Sequence, residues 1–170
     1  MIELEEFGEL FEEEHRSILD QTKSLIERLR ETQTPDISNE VDKLNELLGP
    51  HFRYEEEALY PSLKEEYGRV YVKRLYDSHE GTIHTVRKLK GMTEDNEVKT
   101  REALELIYGW LLPHVSDCEG LSIMVDQIPS DTLDNIVESR QRAHDEGLDL
   151  LTWADRRREK PDFGTLTIYE

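Results

Sequence analysis

Four of the six histidines in this sequence stand inside runs of apolar residues, at positions that a helix would turn inward: His15, His51, His79 and His114. A lone histidine on such a face is most often an ordinary packed residue. Four of them, one in each of four runs, are different, because every buried neutral imidazole needs partners for one donor and one acceptor. Imidazole is a common ligand of iron, copper and zinc, so the pattern indicates a metal site.

A carboxylate accompanies the second of these histidines. His51 and Glu55 are four residues apart, so on a helix both side chains lie on one face and could reach a single centre. Glu55 falls on the apolar face, where an unpaired charge would be costly. Glu56 and Glu57 are predicted to turn toward solvent.

The fourth histidine has a less regular neighbourhood. Cys118 lies one helical turn beyond His114, and Glu119 comes one residue later. Glu119 could reach the same centre from the edge of the inner face or through a locally widened helix. Asp117 and Cys118 are the rival candidates for that role.

The four histidines also form an internal repeat. His15 and His51 are separated by 36 residues, and His79 and His114 by 35. If each half folds as an antiparallel hairpin, its two histidines lie at the same height. Packing the halves together would bring all four to one level of the core.

The elements that must position these residues follow from apolar spacings of alternately three and four residues, which are typical of amphipathic helices. Such spacings run through residues 11–29, 44–62, 72–89 and 104–128, and polar segments separate them, including the one from Pro61 to Gly68. The fold class is predicted to be all-α: an antiparallel up-down four-helix bundle at residues 1–128. Residues 129–170 are predicted to add a C-terminal helix and tail packed on that bundle.

Composition fits a single cytoplasmic domain. The chain has 170 residues, 36% hydrophobic and 35% charged, with no apolar run long enough to span a membrane and an acidic start unlike a signal peptide. One cysteine excludes an internal disulfide. A net charge of −18 disfavours nucleic acid and anionic membranes as partners. The oligomeric state is left open.

Taken together, these residues resemble the hemerythrin family, specifically its HHE cation-binding domains, over about residues 7–128. The resemblance rests on the His15 helix, on "HFRYEEEALYP" with His51 and Glu55, on His79, and on His114 followed five residues later by Glu119. It implies a non-haem di-iron centre with bridging carboxylates. It also implies binding or sensing of O2 or NO, or iron handling.

One departure from the family concerns the third helix, which in hemerythrins supplies two histidines four residues apart. Here His79 and His84 are five apart, which leaves His84 about 140° round the helix. His84 is either a surface residue or a metal ligand brought round by a π-bulge. Pro50 and Pro113, each directly before a proposed ligand, are predicted to lie inside their helices and to bend them, making room for two metals.

Glu12 and His15 match one Glu-x-x-His motif of the ferritin-like di-iron fold, but no second motif follows, so that fold is set aside. Two other interpretations stay open. The chain could bind another metal such as zinc, or be a metal-free helical interaction module. Tyr54 and Tyr76 are predicted near the ligands, whereas His144 is predicted on the surface. With no recognisable nucleophile and base, catalysis is left undecided.

Overall fold

The computed structural model describes residues 3–125 and 127–166, without the side chains of residues 118, 119 and 122–124. Within this part of the chain all regular secondary structure is helical, which confirms the all-α class and gives a helical bundle. The α-helices are α1 (Leu4–Glu31), α2 (Ser38–Tyr54), α3 (Tyr60–Glu94), α4 (Thr100–Leu106), α5 (Leu112–Val125), α6 (Ser130–Glu146) and α7 (Leu150–Arg156). Two π-helical turns, Glu55–Leu59 and Ile107–Leu111, join α2 to α3 and α4 to α5.

The segment from Pro61 to Gly68 is not the polar break that the sequence indicated. Pro61 lies in the first turn of α3, where proline is well tolerated, and the helix continues to Tyr67. The change of direction falls at Gly68, whose φ of 80° favours glycine. Proline was therefore a poor guide to the end of this helix.

The two prolines beside the histidines lie inside continuous helical segments, as predicted. Pro50 is in the last part of α2, and Pro113 is the second residue of α5, which follows the second π-turn directly. Neither helix begins at its proline. Bending at these positions remains a prediction.

Two apolar cores fill the bundle. One contains Ile18, Leu44 and Val86 together with residues of α4, α5 and α7, and the other contains Phe11 and Val72. Along α1, α2, α3 and α5 the change from one core to the other occurs at or next to the histidine position. The histidines thus form a polar layer between two apolar cores.

The C-terminal helices pack on this bundle. Helix α6 contacts α1 and α2, and α7 contacts α2 and α3. Leu150 and Trp153 belong to the first core, and Ile136 belongs to the second. The predicted boundary at residue 128 remains a prediction. No helix among the described residues has an apolar stretch long enough to cross a membrane.

Gly49 has a steric role that explains part of the Gly-Pro-His sequence. A Cβ atom at Gly49 would lie 2.1 Å from the carbonyl oxygen of Leu148 and 2.8 Å from the amide nitrogen of Leu150. One turn earlier, Asn45 Oδ1 accepts a hydrogen bond from the Leu151 amide at 3.0 Å. Helix α2 therefore holds the α6–α7 connection directly beside the His51 turn.

Candidate metal centre

Four buried side chains from different elements converge where the two cores meet. Ligand atoms of His15, His51, Glu55 and His114 all lie within 4.8 Å of one another. Helices α1, α2 and α5 supply the histidines, and the first π-turn supplies Glu55. Three imidazoles and a carboxylate are a donor set that suits iron, zinc or copper.

Glu55 lies at the middle of this group and divides its two oxygens between pairs of histidines. Oε1 is 3.3 Å from His51 Nε2 and 3.8 Å from His15 Nε2. Oε2 is 2.9 Å from His79 Nε2 and 4.0 Å from His114 Nε2. We call Oε1 with the first pair the first half-site, and Oε2 with the second pair the second half-site. The two pairs are those of the internal repeat.

In the first half-site, outer hydrogen bonds fix which imidazole nitrogen faces inward. His15 Nδ1 donates to the Phe11 carbonyl at 2.6 Å, since a carbonyl can only accept. His51 Nδ1 donates to Glu14 Oε2 at 2.9 Å. Despite its burial, Glu14 has a pKa held well below the usual range by hydrogen bonds from His144 and His51, so it is a carboxylate. Both Nε2 atoms are therefore left to face the centre.

Those two Nε2 atoms lie only 3.1 Å apart. Two lone pairs at this distance repel, so either a proton or a cation must lie between them. Burial alone would lower the pKa of His51, but Glu55 and Glu14 raise it to about 10, whereas burial lowers the pKa of His15 to about 4. In the metal-free protein a proton on His51 satisfies the pair. A metal ion could replace that proton, so these residues fit a metal.

In the second half-site, His79 is held between two carboxylates. Its Nε2 lies 2.9 Å from Glu55 Oε2 and 2.8 Å from the Tyr60 hydroxyl, and its Nδ1 lies 2.9 Å from Glu56 Oε1. Glu56 is buried, so the expectation that it turns to solvent is wrong, whereas Glu57 is exposed as expected.

The π-turn explains how adjacent glutamates and Tyr60 all reach the centre. A π-turn inserts one extra residue, so the inner face of the helix gains a position there. Glu55 and Glu56 are both buried at the start of this turn, and the Tyr60 hydroxyl, five residues on, donates to Glu55 Oε2 at 3.1 Å. No residue type in the sequence marks the extra position, and for this reason Glu56 and Tyr60 were missed.

His114 completes the second half-site in an apolar setting. Its ring centroid is 4.6 Å from that of Phe52 and 4.9 Å from that of His79. Burial, with the neighbouring His79, keeps the pKa of His114 well below its ordinary value. The imidazole is therefore neutral, which is the form that binds a metal.

Three further predicted residues are His84, Cys118 and Glu119. His84 is exposed on α3, which is α-helical there, and the described π-turns lie elsewhere. The side chains of Glu119 and Cys118 lie outside the described residues, so a role for Glu119 at the metal remains a prediction. The widened helix comes before His114, not between His114 and Glu119.

Glu14 is the outer residue that sequence reasoning missed in the first half-site. Besides His51, it accepts hydrogen bonds from the hydroxyl of Tyr54 at 2.7 Å and from Nε2 of His144 at 2.8 Å, and Arg140 Nη2 lies at 2.7 Å. His144 is exposed, as expected. The position of Glu14 immediately before His15 gives no helical-face signal, and two of its partners, Arg140 and His144, are more than 100 residues away.

Both tyrosines that were predicted near the ligands already have protein acceptors. The Tyr54 hydroxyl binds Glu14, and the Tyr76 hydroxyl donates to the Glu56 carbonyl at 2.8 Å. Tyr60, rather than either of these, touches the inner donors of the site.

The chain was compared with protein families. Residues 7–121 match the model described as the hemerythrin HHE cation-binding domain. The matched range is more than half of the chain and contains all four buried histidines and Glu55. Comparisons with curated proteins and with solved structures gave no significant match.

Proposed function

This chain belongs to the hemerythrin HHE cation-binding domain family, and we propose that its buried cluster binds a non-haem di-iron centre. The observation that carries the proposal is the division of the Glu55 oxygens between two pairs of histidines. A carboxylate so placed can serve two ions at once. The repeat in the sequence supplies the same two pairs.

One ion would be held by His15, His51 and Glu55 Oε1, and the other by His79, His114 and Glu55 Oε2. Glu119 is proposed as a second carboxylate ligand, on the strength of its position five residues after His114 and of the family resemblance. Mixed imidazole and carboxylate donors suit iron. A structural zinc site would be complete with four ligands around one ion, which is fewer than this cluster offers.

We further propose that the protein binds or senses O2 or NO, or handles iron, in the cytoplasm. Non-haem iron supplies the ability to bind or reduce such small molecules. The chain holds the imidazole orientations through the Phe11 carbonyl, Glu14 and Glu56, and it excludes water with aromatic rings such as Phe52. The antiparallel up-down arrangement of four helices is part of the same proposal.

The test is metal content per chain after anaerobic loading with Fe(II), with absorption spectra recorded before and after exposure to air. We expect about two irons per chain and new near-ultraviolet absorption after exposure. His84→Ala is the matched control, because this histidine is exposed, and it should behave like the wild type. One iron per chain would contradict the dinuclear centre, and none would indicate a metal-free interaction module. Zinc bound in preference to iron would contradict the iron assignment.

A further inference from the structure

Arg158 is a buried cation that follows α7, well beyond the matched residues 7–121. Its side chain is 5% exposed. Its Nε lies 3.0 Å from Glu56 Oε2, its Nη2 lies 3.0 Å from Glu56 Oε1, and its Nη1 donates to Glu80. Paired contacts of this kind fix the plane of a carboxylate as well as neutralising it.

The carboxylate that Arg158 holds is the outer partner of a proposed ligand. Glu56 Oε1 lies 2.9 Å from His79 Nδ1, and the opposite nitrogen of that ring faces Glu55. Arg158, Glu56 and His79 therefore form a continuous chain of polar contacts from the C-terminal segment to the second half-site. Partners of this type fix the tautomer and the ring orientation of a ligating histidine.

Without Arg158, the Glu56 side chain could move into an adjacent cavity. It borders a cavity of about 560 Å³ whose lining includes Glu57, Arg157 and Lys160. A glutamate side chain beside open space can rotate into it, and the guanidinium is what opposes this rotation. Lys160 binds Glu80 at 3.0 Å and adds a second anchor for the segment.

We propose that Arg158 is a positioning residue for the second half-site: it holds Glu56, and through Glu56 it keeps His79 Nε2 directed at Glu55. The part of the proposal that concerns metal affinity rests on the proposed metal-binding function. The C-terminal segment is then a working part of the metal centre, although it lies outside the matched family domain.

The first test is an anaerobic Fe(II) titration of Arg158→Gln. We expect one of the two equivalents to bind about 10- to 100-fold more weakly and the other to be unchanged, which is the range for substitutions of outer partners. Arg157→Gln is the matched control. That neighbour is exposed, and its ion pair with Glu146 spans 4.0 Å, so both equivalents should bind as in the wild type. Arg158→Lys should restore part of the lost affinity.

The second test uses the metal-free protein, so that it does not depend on iron. The side-chain ¹H–¹⁵N resonances of His79 should shift in Arg158→Gln, because Nδ1 loses its fixed carboxylate partner. Adding Glu56→Gln to Arg158→Gln should produce little further change in His79. Independent effects of the two substitutions would contradict action through Glu56.

The outcomes separate this inference from the proposed function. A wild type that binds no metal contradicts the proposed function, and the His79 resonances still decide the positioning. Two tight equivalents and unchanged His79 resonances in Arg158→Gln would overturn the positioning role alone. Equal weakening of both equivalents with a lower melting temperature would also overturn it, since that pattern means general loss of stability.

Discussion

The two half-sites have matching inner donors but different outer partners. In the first, Glu14 orients His51 and is itself bound by the exposed His144, beside a surface cavity of about 200 Å³. In the second, Glu56 orients His79, and Arg158 covers it in the interior. The internal repeat thus extends to the proposed ligands and not to the groups that support them.

This difference shows which parts of the site are set by local spacing. The separations of 36 residues from His15 to His51 and of 35 residues from His79 to His114 make the two halves of the chain alike. The two outer carboxylates have different C-terminal partners, because His144 and Arg140 contact Glu14 whereas Arg158 contacts Glu56. We therefore expect the half-sites to bind metal with similar geometry but to lose it under different changes.

The largest effect on metal binding is expected from changing Glu55, the residue that the two half-sites share. Glu55→Gln keeps the size of the side chain but removes the charge, and only one of its two inner-facing atoms can then accept. We expect both metal equivalents to be weakened by more than about 100-fold, beyond the range for outer partners. Anaerobic Fe(II) titration measures this. Retention of two tight equivalents would show that Glu55 does not bridge.

Removing one histidine from each half-site should separate them. His51→Ala and His79→Ala are each expected to leave one equivalent, because the other pair of imidazoles is intact. Metal content and the spectrum of the remaining ion would be compared, with His84→Ala as the control. Loss of both equivalents from either variant would mean that neither half-site binds an ion without the other.

Helical spacing alone predicted that the four histidines and Glu55 lie on the inner faces of their helices. The histidines and Glu55 fall on inner faces because a period of three and four residues directly reports which side of a helix is buried. The four apolar runs became helices for the same reason. The role of the four buried histidines and Glu55 as metal ligands remains a prediction, as does that of Glu119.

Other features of the site could not be predicted from helical spacing. The first π-turn changes the helical register, so it reverses the expected direction of Glu56 and brings Tyr60 to Glu55. Arg158 and Glu56 are 102 residues apart, and a contact at that separation follows only from the packing of α7. Helical spacing also gives no reason for Gly49, which is required by the close approach of the Leu148 carbonyl.

Metal binding in the first half-site should also depend on pH. In the metal-free protein the pKa of His51 is raised to about 10, so at pH 7 the metal must displace a proton from it, whereas His114 is already neutral. Raising the pH removes the proton that competes with the metal for His51. Affinity in the first half-site is therefore expected to rise about tenfold per unit between pH 7 and 9. Calorimetry in buffers of different ionisation enthalpy measures the protons released.

An unchanged affinity of both equivalents across that range, with no proton release, would contradict this assignment. His51→Ala serves as the control. It should remove the first equivalent together with the proton that His51 releases.

The smallest effects are expected from substituting Gly49 and Gly81, two glycines that pack closely against other parts of the chain. Gly49→Ala places a methyl group against backbone atoms of residues 148–150, which cannot move singly, so we expect the unfolding free energy to fall by about 1–3 kcal/mol. The three atoms nearest to a Cβ at Gly81 all belong to the ring of Trp110, a residue that is 43% exposed and whose side chain can rotate away.

The gain in helix propensity from Gly81→Ala, up to about 1 kcal/mol, should offset much of its steric cost. Gly91→Ala, in the same helix with no atom within 4 Å of the new methyl group, isolates that gain. Urea unfolding of the three metal-free variants gives the order, with Gly49→Ala the least stable. A larger loss from Gly81→Ala would mean that Trp110 is fixed in place. The second half-site would then have a rigid support on α3 as well as the one from Arg158.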